Sequence, residues 1–164
     1  MQLIKANSNN LFIIEQLARK IWPVAYANIL SQEQLEYMLI MFYSEQALIS
    51  QLEKGHVFYL VQNDLGDYLG FVSYEINCEP NKTKIHKIYV LPETQGIGLG
   101  KLLFEKVREE ALKANQKAIF LNVNKYNKAQ HFYNKLDFKI VKEEVIDIGR
   151  GYVMDDYVME VELK

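Results

Sequence analysis

The sequence predicts a mixed α/β (α+β) fold, a central sheet of about seven strands flanked by helices. Three observations carry this. From the start of the chain to about residue 52, apolar residues recur three or four positions apart, which is the helical period. From Val57 to Leu91 the pattern contracts into three compact apolar runs separated by turn residues, the mark of an antiparallel meander. Beyond Gly98 a long helical stripe and a short helix alternate with strands, and two final strands close the chain.

Gln2–Lys5 is a short first strand. Asn9–Ile21 is a helix: Leu11, Ile14, Leu17 and Ile21 share one face, Ser8 or Asn9 is placed to cap it, and Pro23 ends or bends it. Ser31 opens a second helix, with Gln34 three residues on in a capping-box pattern and Leu35, Met38, Leu39 and Phe42 as its stripe. Ser44–Leu52 is a third, closed near Gly55. Val57–Val61 and Tyr68–Ile76 form a hairpin across Asn63-Asp64 and Gly66-Asp67. The turn-rich Glu79–Lys82 leads into a strand over Lys84–Leu91, stopped by Pro92. Gly98–Ala114 is a helix with Leu99, Leu103, Val107 and Ala111 on one stripe. Ala118–Val123 is a strand and Asn127–Leu136 a short helix. Lys139–Ile148 and Tyr152–Leu163 are the last two strands, joined by Gly149-Arg150-Gly151.

A chain of 164 residues and 19.2 kDa suffices for one self-supporting core, and its prolines and glycines are scattered, so residues 1–164 read as a single domain. Hydrophobic residues make up 49% and charged residues 24%, a globular and not a disordered balance. Lys plus Arg number 19 and Asp plus Glu 21, a net charge of −2. That argues against a nucleic-acid partner, which would call for an excess of cations. Cys78 is the only cysteine, so an intramolecular disulfide and a Cys-based zinc cluster are both ruled out, and a reducing compartment fits. The opening MQLIKANSNNLF has neither a long apolar run nor a small-residue cleavage site. No stretch approaches the ~20 apolar residues of a membrane helix, so a cytoplasmic location is expected, with no membrane partner.

The most informative segment runs from Tyr89 to Lys101: a strand ends, a glycine-rich turn follows and a helix begins. Closely spaced glycines let backbone approach a ligand, and the unpaired N–H groups at the helix start favour a phosphate or pyrophosphate. Three patterns compete. A P-loop needs Ser or Thr after its lysine, and Leu102 follows Lys101. A dinucleotide fingerprint needs Gly at 101 or 103 and finds Lys101 and Leu103. Gln/Arg-x-x-Gly-x-Gly/Ala is met by Gln95, Gly98 and Gly100.

With that last pattern the chain resembles the GNAT superfamily of N-acetyltransferases, whose pyrophosphate signature follows a strand ending in Val-x-Pro-Glu, here Val90-Leu91-Pro92-Glu93. The family's second signature is matched by Leu121-Asn122-Val123, then Asn127, Ala129, Phe132, Tyr133, Lys135, Leu136, Asp137 and Phe138. Two positions depart from it. Asp137 stands where the family usually has Gly, and Asp tolerates a left-handed helix end better than most residues. Asn127 lies two residues before Ala129 where three is commoner, leaving it either a pantetheine contact or a helix cap.

The resemblance implies direct attack of an amine on the thioester of bound acetyl-CoA, with no metal and no covalent cysteine. It implies cofactor contacts, mostly through backbone, from Tyr89, Val90 and Leu91 on a strand that splays away from Ala118–Val123. Gln95, Gly96, Ile97, Gly98, Leu99, Gly100 and Lys101 would hold the pyrophosphate, though Lys101 also reads as a solvated helix residue; Asn127 and Tyr133 complete the cofactor set. Tyr133 matches the general acid that protonates the departing sulfur, against the alternative of a core tyrosine. His86 is the candidate base or else a partly exposed strand histidine, and Glu75 is a second candidate. His56 and His131 carry no motif. The acceptor groove would take Trp22, Tyr26, Tyr37 and Tyr43 as aromatic walls, or these are core; Glu75 and the adjacent Asp155 and Asp156 would attract a cationic amine, or the two aspartates belong to a solvated strand edge. The expected function is therefore an N-acetyltransferase acting on a small, polyamine-like primary amine. Protein N-termini or lysines are the alternative acceptors, and a non-catalytic acyl-CoA-binding regulatory module or a nucleotide-binding protein the alternative classes. A homodimer is common in the family.

Overall fold

The computed structural model describes residues 1–164. In chain order its elements are β1 (Gln2–Lys5), α1 (Leu11–Ala25), α2 (Gln32–Tyr43), α3 (Glu45–Glu53), β2 (Val57–Gln62), β3 (Tyr68–Glu79), β4 (Lys82–Val90), α4 (Leu99–Lys113), β5 (Ala118–Asn124), α5 (Ala129–Lys135), β6 (Lys139–Gly149) and β7 (Tyr152–Glu162). The strands form one seven-stranded sheet in the order β1-β2-β3-β4-β5-β7-β6. β1 to β4 are an antiparallel meander, β4 and β5 run parallel, and β5, β7 and β6 are antiparallel. No helix is long and apolar enough to cross a membrane.

Side chains alternate between the two sheet faces. Phe71 and Ser73, paired with Tyr89 and Lys87, face the layer of α1, α2 and α3, where Phe71 meets the Tyr43 ring. Val72 and Tyr59 face α4, where Lys106 lies over the Tyr59 ring. The α4 stripe expected from the sequence is buried at Leu99, Leu103, Val107 and Ala111. Fully buried Tyr43, Phe58, Phe71, Phe138, Leu103 and Ile119 make the centre of the core.

Several boundaries differ from expectation for local reasons. Pro23 does not end α1. The helix runs on to Ala25 because Trp22 and Tyr26 are anchored in the core and the Tyr26 N–H still reaches the Trp22 carbonyl at 2.9 Å; a proline in the last turn removes only its own bond. Neither Ser8 nor Asn9 caps α1. Asn10 holds the N-cap position, and its carboxamide oxygen accepts from the Asn7 N–H instead. At α2 only half of the capping box forms: Ser31 Oγ accepts the Gln34 N–H, but the Gln34 side chain donates to the Val153 carbonyl. α5 starts at Ala129 and not Asn127, because Asn127 Oδ1 accepts the Ala129 N–H at 2.9 Å and caps the helix from outside. Asp137 does take the left-handed conformation, φ +70°.

Two features of β4 shape the site. It pairs with β5 only from Lys82↔Ala118 to Ile85↔Leu121, although both strands continue, so the sheet parts beyond Ile85 as expected. And Ser73 pairs with Lys87 while Tyr74 pairs with Ile85, leaving His86 as an extra residue, a β-bulge. The bulge resets the alternation: Lys84, beside Glu75, and Lys87, beside Ser73, lie on the same face of the sheet.

Candidate active site

The parted strands leave one edge of β4 open. The Leu91 N–H donates to the Leu69 carbonyl across β3, so Tyr89 and Leu91 direct their backbone groups towards β3 and the alternate residue, Val90, directs its own into the gap. Of the three expected backbone contacts, Val90 is the one whose N–H and C=O are free for an extended ligand.

The loop after β4 leads to the start of α4. Gly96 and Gly98 have φ of +87° and +86°, and Gly98 is the N-cap. No side chain caps this helix, so its first N–H groups point out unpaired, and Gln95 to Gly98 are exposed while Leu99 anchors the turn in the core. A Cβ at Gly96 or Gly98 would meet nothing within 4 Å, whereas one at Gly100 would lie 3.1 Å from Phe132 Cζ. Two glycines thus shape an open cradle, and the third lets α4 approach α5. Ile97 and Lys101 are exposed beside this cradle. An open concavity lined by N–H donors at a helix start fits a pyrophosphate.

Tyr133 stands on α5, almost wholly buried, with its ring edge-on to Phe132 and Phe138 at 5.4 and 5.7 Å. Burial, and secondly the Tyr26 phenol, raise its pKa above that of a free tyrosine, so it stays protonated at neutral pH. Tyr26 is itself hydrogen-bonded to Tyr89, oxygen to oxygen at 2.8 Å. Trp22 packs on Tyr26, Tyr43 and Tyr89 at 4.7, 5.4 and 5.9 Å.

The rings of Trp22, Tyr26, Tyr43 and Tyr89 wall a cavity of about 350 Å³ on the α1–α3 face of the sheet. Trp22, Tyr26, Tyr89, His86, Lys87 and Asp156 line it, while Glu75 and Tyr133 do not; Lys87 is the one that sequence reasoning had not singled out. Asp155 is a correction. It lies opposite Val145 on the outer face of β7 and is ion-paired with Lys125 at 3.0 Å, while its neighbour Asp156, 5% exposed, turns inward. Adjacent strand residues point to opposite faces, so only one of the two carboxylates can face the cavity. Asp156 accepts from Asn122 Nδ2 at 3.3 Å, and burial raises its pKa. A wider, open depression of about 1250 Å³ between α1, α2 and the β6–β7 hairpin shares Tyr26 and Leu30 with the cavity as a common wall.

His86 does not stand alone. Its ring stacks on His56 with centroids 4.0 Å apart and planes 6° from parallel, and both Nε2 atoms approach Glu75 Oε1, at 2.9 Å from His86 and 3.3 Å from His56. His86 is hydrogen-bonded to Glu75, and His56, stacked on it, brings its own Nε2 up to the same oxygen. Burial, then Lys84 and Lys87, push His86 down to about 3, and burial, then His86, push His56 to about 4. His56 carries no sequence motif because only the β2–β3–β4 register brings it here. His131 is exposed on α5.

The histidine pair carries a stability consequence. An unfolded histidine takes up a proton near pH 6.5, while the folded pair stays neutral until about 4 and about 3, so stability falls as pH drops through that window. Thermal unfolding of His56→Gln/His86→Gln should show a shallower loss of Tm between pH 6.5 and 4 than the parent. Parallel curves would contradict the burial-driven shifts.

An anion cradle that opens onto a parted sheet suits a transferase whose acyl group arrives on a phosphate-bearing carrier. The chain belongs to the GNAT acetyltransferase family, whose acetyltransferase (GNAT) domain model matches residues 26–159. It is 24% identical over 160 residues to the spermidine N(1)-acetyltransferase of Thermoplasma acidophilum, covering 94% of this chain and 96% of that one. Over 80 residues it is 39% identical to an uncharacterized N-acetyltransferase of Archaeoglobus fulgidus; the match takes in 45% of this chain and spans about half, 54%, of that relative. The crystal structure of the PaiA N-acetyltransferase of Thermoplasma acidophilum in complex with coenzyme A superposes with a TM-score of 0.79 at 24% identity over 99% of each chain, which shows a common fold.

Proposed function

We propose that this enzyme moves the acetyl group of acetyl-CoA directly onto the primary amine of a small, polyamine-like molecule, with residues 1–164 acting as one domain. The observation that carries this is the aromatic-walled cavity beside the gap between β4 and β5, with the buried carboxylate of Asp156 in its wall. Its volume of about 350 Å³ lies at the small end of the ligand-pocket range of roughly 300–1,000 Å³. A carboxylate and π-faces together recognise a cation. The resemblance to a spermidine N(1)-acetyltransferase supports the same class.

Acetyl-CoA supplies the acetyl group as a thioester. The cradle of Gly96, Gly98 and the first turn of α4 would hold its pyrophosphate, and the Val90 backbone would pair with its extended arm. Tyr133, kept protonated by burial, donates a proton to the sulfur that leaves. The amine proton departs towards the bulged stretch of β4, where His86 and Lys87 stand side by side. Cys78 takes no part: it is partly buried near the end of β3, and burial raises its thiol pKa.

The test is thiol release from acetyl-CoA across a panel of linear diamines and polyamines, free amino acids, aminoglycosides and short peptides with free N-termini. The highest kcat/KM is expected for the diamines and polyamines. A peptide as best acceptor would move the assignment to the wide depression between α1, α2 and the last hairpin.

A further inference from the structure

We propose that Lys87 is the general base: its ε-nitrogen takes the proton of the acceptor amine as that amine attacks. The proposal rests on the transferase reading and names one group in it. Lys87 is 7% exposed and lines the cavity, with its ammonium nitrogen 4.9 Å above the Tyr43 ring. It makes no ion pair. The two nearby carboxylates are engaged elsewhere, Glu75 by the two histidines and Asp156 by Asn122. A lysine buried without a counter-ion is costly, and its charged form is the costly one. The β4 bulge sets it here, two residues past Ile85, the last β4 residue paired with β5.

The groups around Lys87 come from every neighbouring element: Lys84, His86 and Tyr89 on β4, Glu75 on β3, His56 before β2, Tyr43 on α2, Tyr26 on α1 and Asp156 on β7. Burial moves most of these away from neutrality. The phenols of Tyr26, Tyr43 and Tyr89 are pushed up and both histidines down to about 4 or below. Lys87 is pushed down by burial alone to about 7, where a general base works best at neutral pH. His86, beside it, is far less basic and has Nε2 committed to Glu75. Trp22 Nε1, Tyr43 Oη and His56 Nδ1, on residues of the cavity wall, are buried without partners, as is Ser73 Oγ opposite Lys87 in the β-ladder.

The step balances. The N–C bond forms as the C–S bond breaks; the amine proton goes to Lys87 Nζ and the sulfur takes a proton from Tyr133. A neutral amine and a thioester give an amide and a thiol, and the lysine ammonium and tyrosine phenolate return to their starting states by exchange with solvent.

The pH dependence of kcat/KM for the best amine of the panel tests this in the parent, Lys87→Met, Lys87→Arg and His86→Gln. The parent should rise with slope two below about pH 7 and slope one above it, the second unit being the ionisation of the amine itself at about pH 10, and the inflection near pH 7 belongs to Lys87. Both Lys87 variants should lose the inflection and fall by roughly 10²–10⁴-fold, with coenzyme A affinity within about threefold of the parent. His86→Gln should keep the inflection whatever its rate. With hydroxylamine, which is largely unprotonated at neutral pH, the Lys87→Met deficit should shrink by at least about tenfold, because less base assistance is needed. The proposal is overturned if Lys87→Met keeps the inflection, if its deficit is the same with hydroxylamine, or if His86→Gln removes the inflection. If the parent binds coenzyme A and acetylates no amine, the transferase reading fails first and takes this one with it.

Discussion

Gly98→Asp is expected to weaken coenzyme A binding by at least about 100-fold, or about 2.7 kcal/mol, while leaving the fold intact. Gly98 sits at φ +86° as the N-cap of α4, and the space beyond its α-carbon is open. An aspartate there costs about 1–2 kcal/mol of backbone strain, because the left-handed backbone at this position disfavours a side chain. The helix is held by its buried stripe, but the carboxylate fills the open cradle and adds a like charge beside the pyrophosphate. Calorimetric titration with coenzyme A, set beside far-UV circular dichroism, separates binding from folding. Gly98→Ala, which keeps the strain without the charge, should lose less affinity. Unchanged affinity in Gly98→Asp removes the loop from the cofactor site.

Tyr133→Phe is expected to lower kcat by roughly 10²–10⁴-fold with coenzyme A affinity changed by less than about threefold. Phenylalanine keeps the ring that packs on Phe132 and Phe138, so only the hydroxyl is removed. That hydroxyl is protonated at working pH because burial raises its pKa, as an acid for a departing thiolate must be. Without it the sulfur leaves as an anion beside buried rings. Equal turnover in the variant would make Tyr133 a packing residue.

Much of the fold was legible because its determinants are local. The α4 stripe, the Ser31 cap and the Asn63–Asp67 turn each rest on a few neighbouring residues, and all three formed. The glycine loop was legible for the same reason. What sequence could not supply was register. His56 and His86 lie 30 positions apart and meet only because β2, β3 and β4 align as they do. Lys87 reads as an ordinary strand lysine because a bulge leaves no periodic mark, and it is the bulge that lets both His86 and Lys87 line one cavity. Asp155 and Asp156 differ by one position, and a period of two gives no warning of which is inward. Pro23 misleads because its helix-breaking tendency is a local weight, and two buried aromatics outweigh it.

The most direct measurement quantifies, in one reaction, free coenzyme A and N-acetylated acceptor by mass spectrometry, with and without a diamine acceptor. The expected result is one acetylated amine per coenzyme A released, with release near background when the amine is left out. Tight coenzyme A binding with no thiol release above background on adding any amine would contradict direct transfer in this cavity.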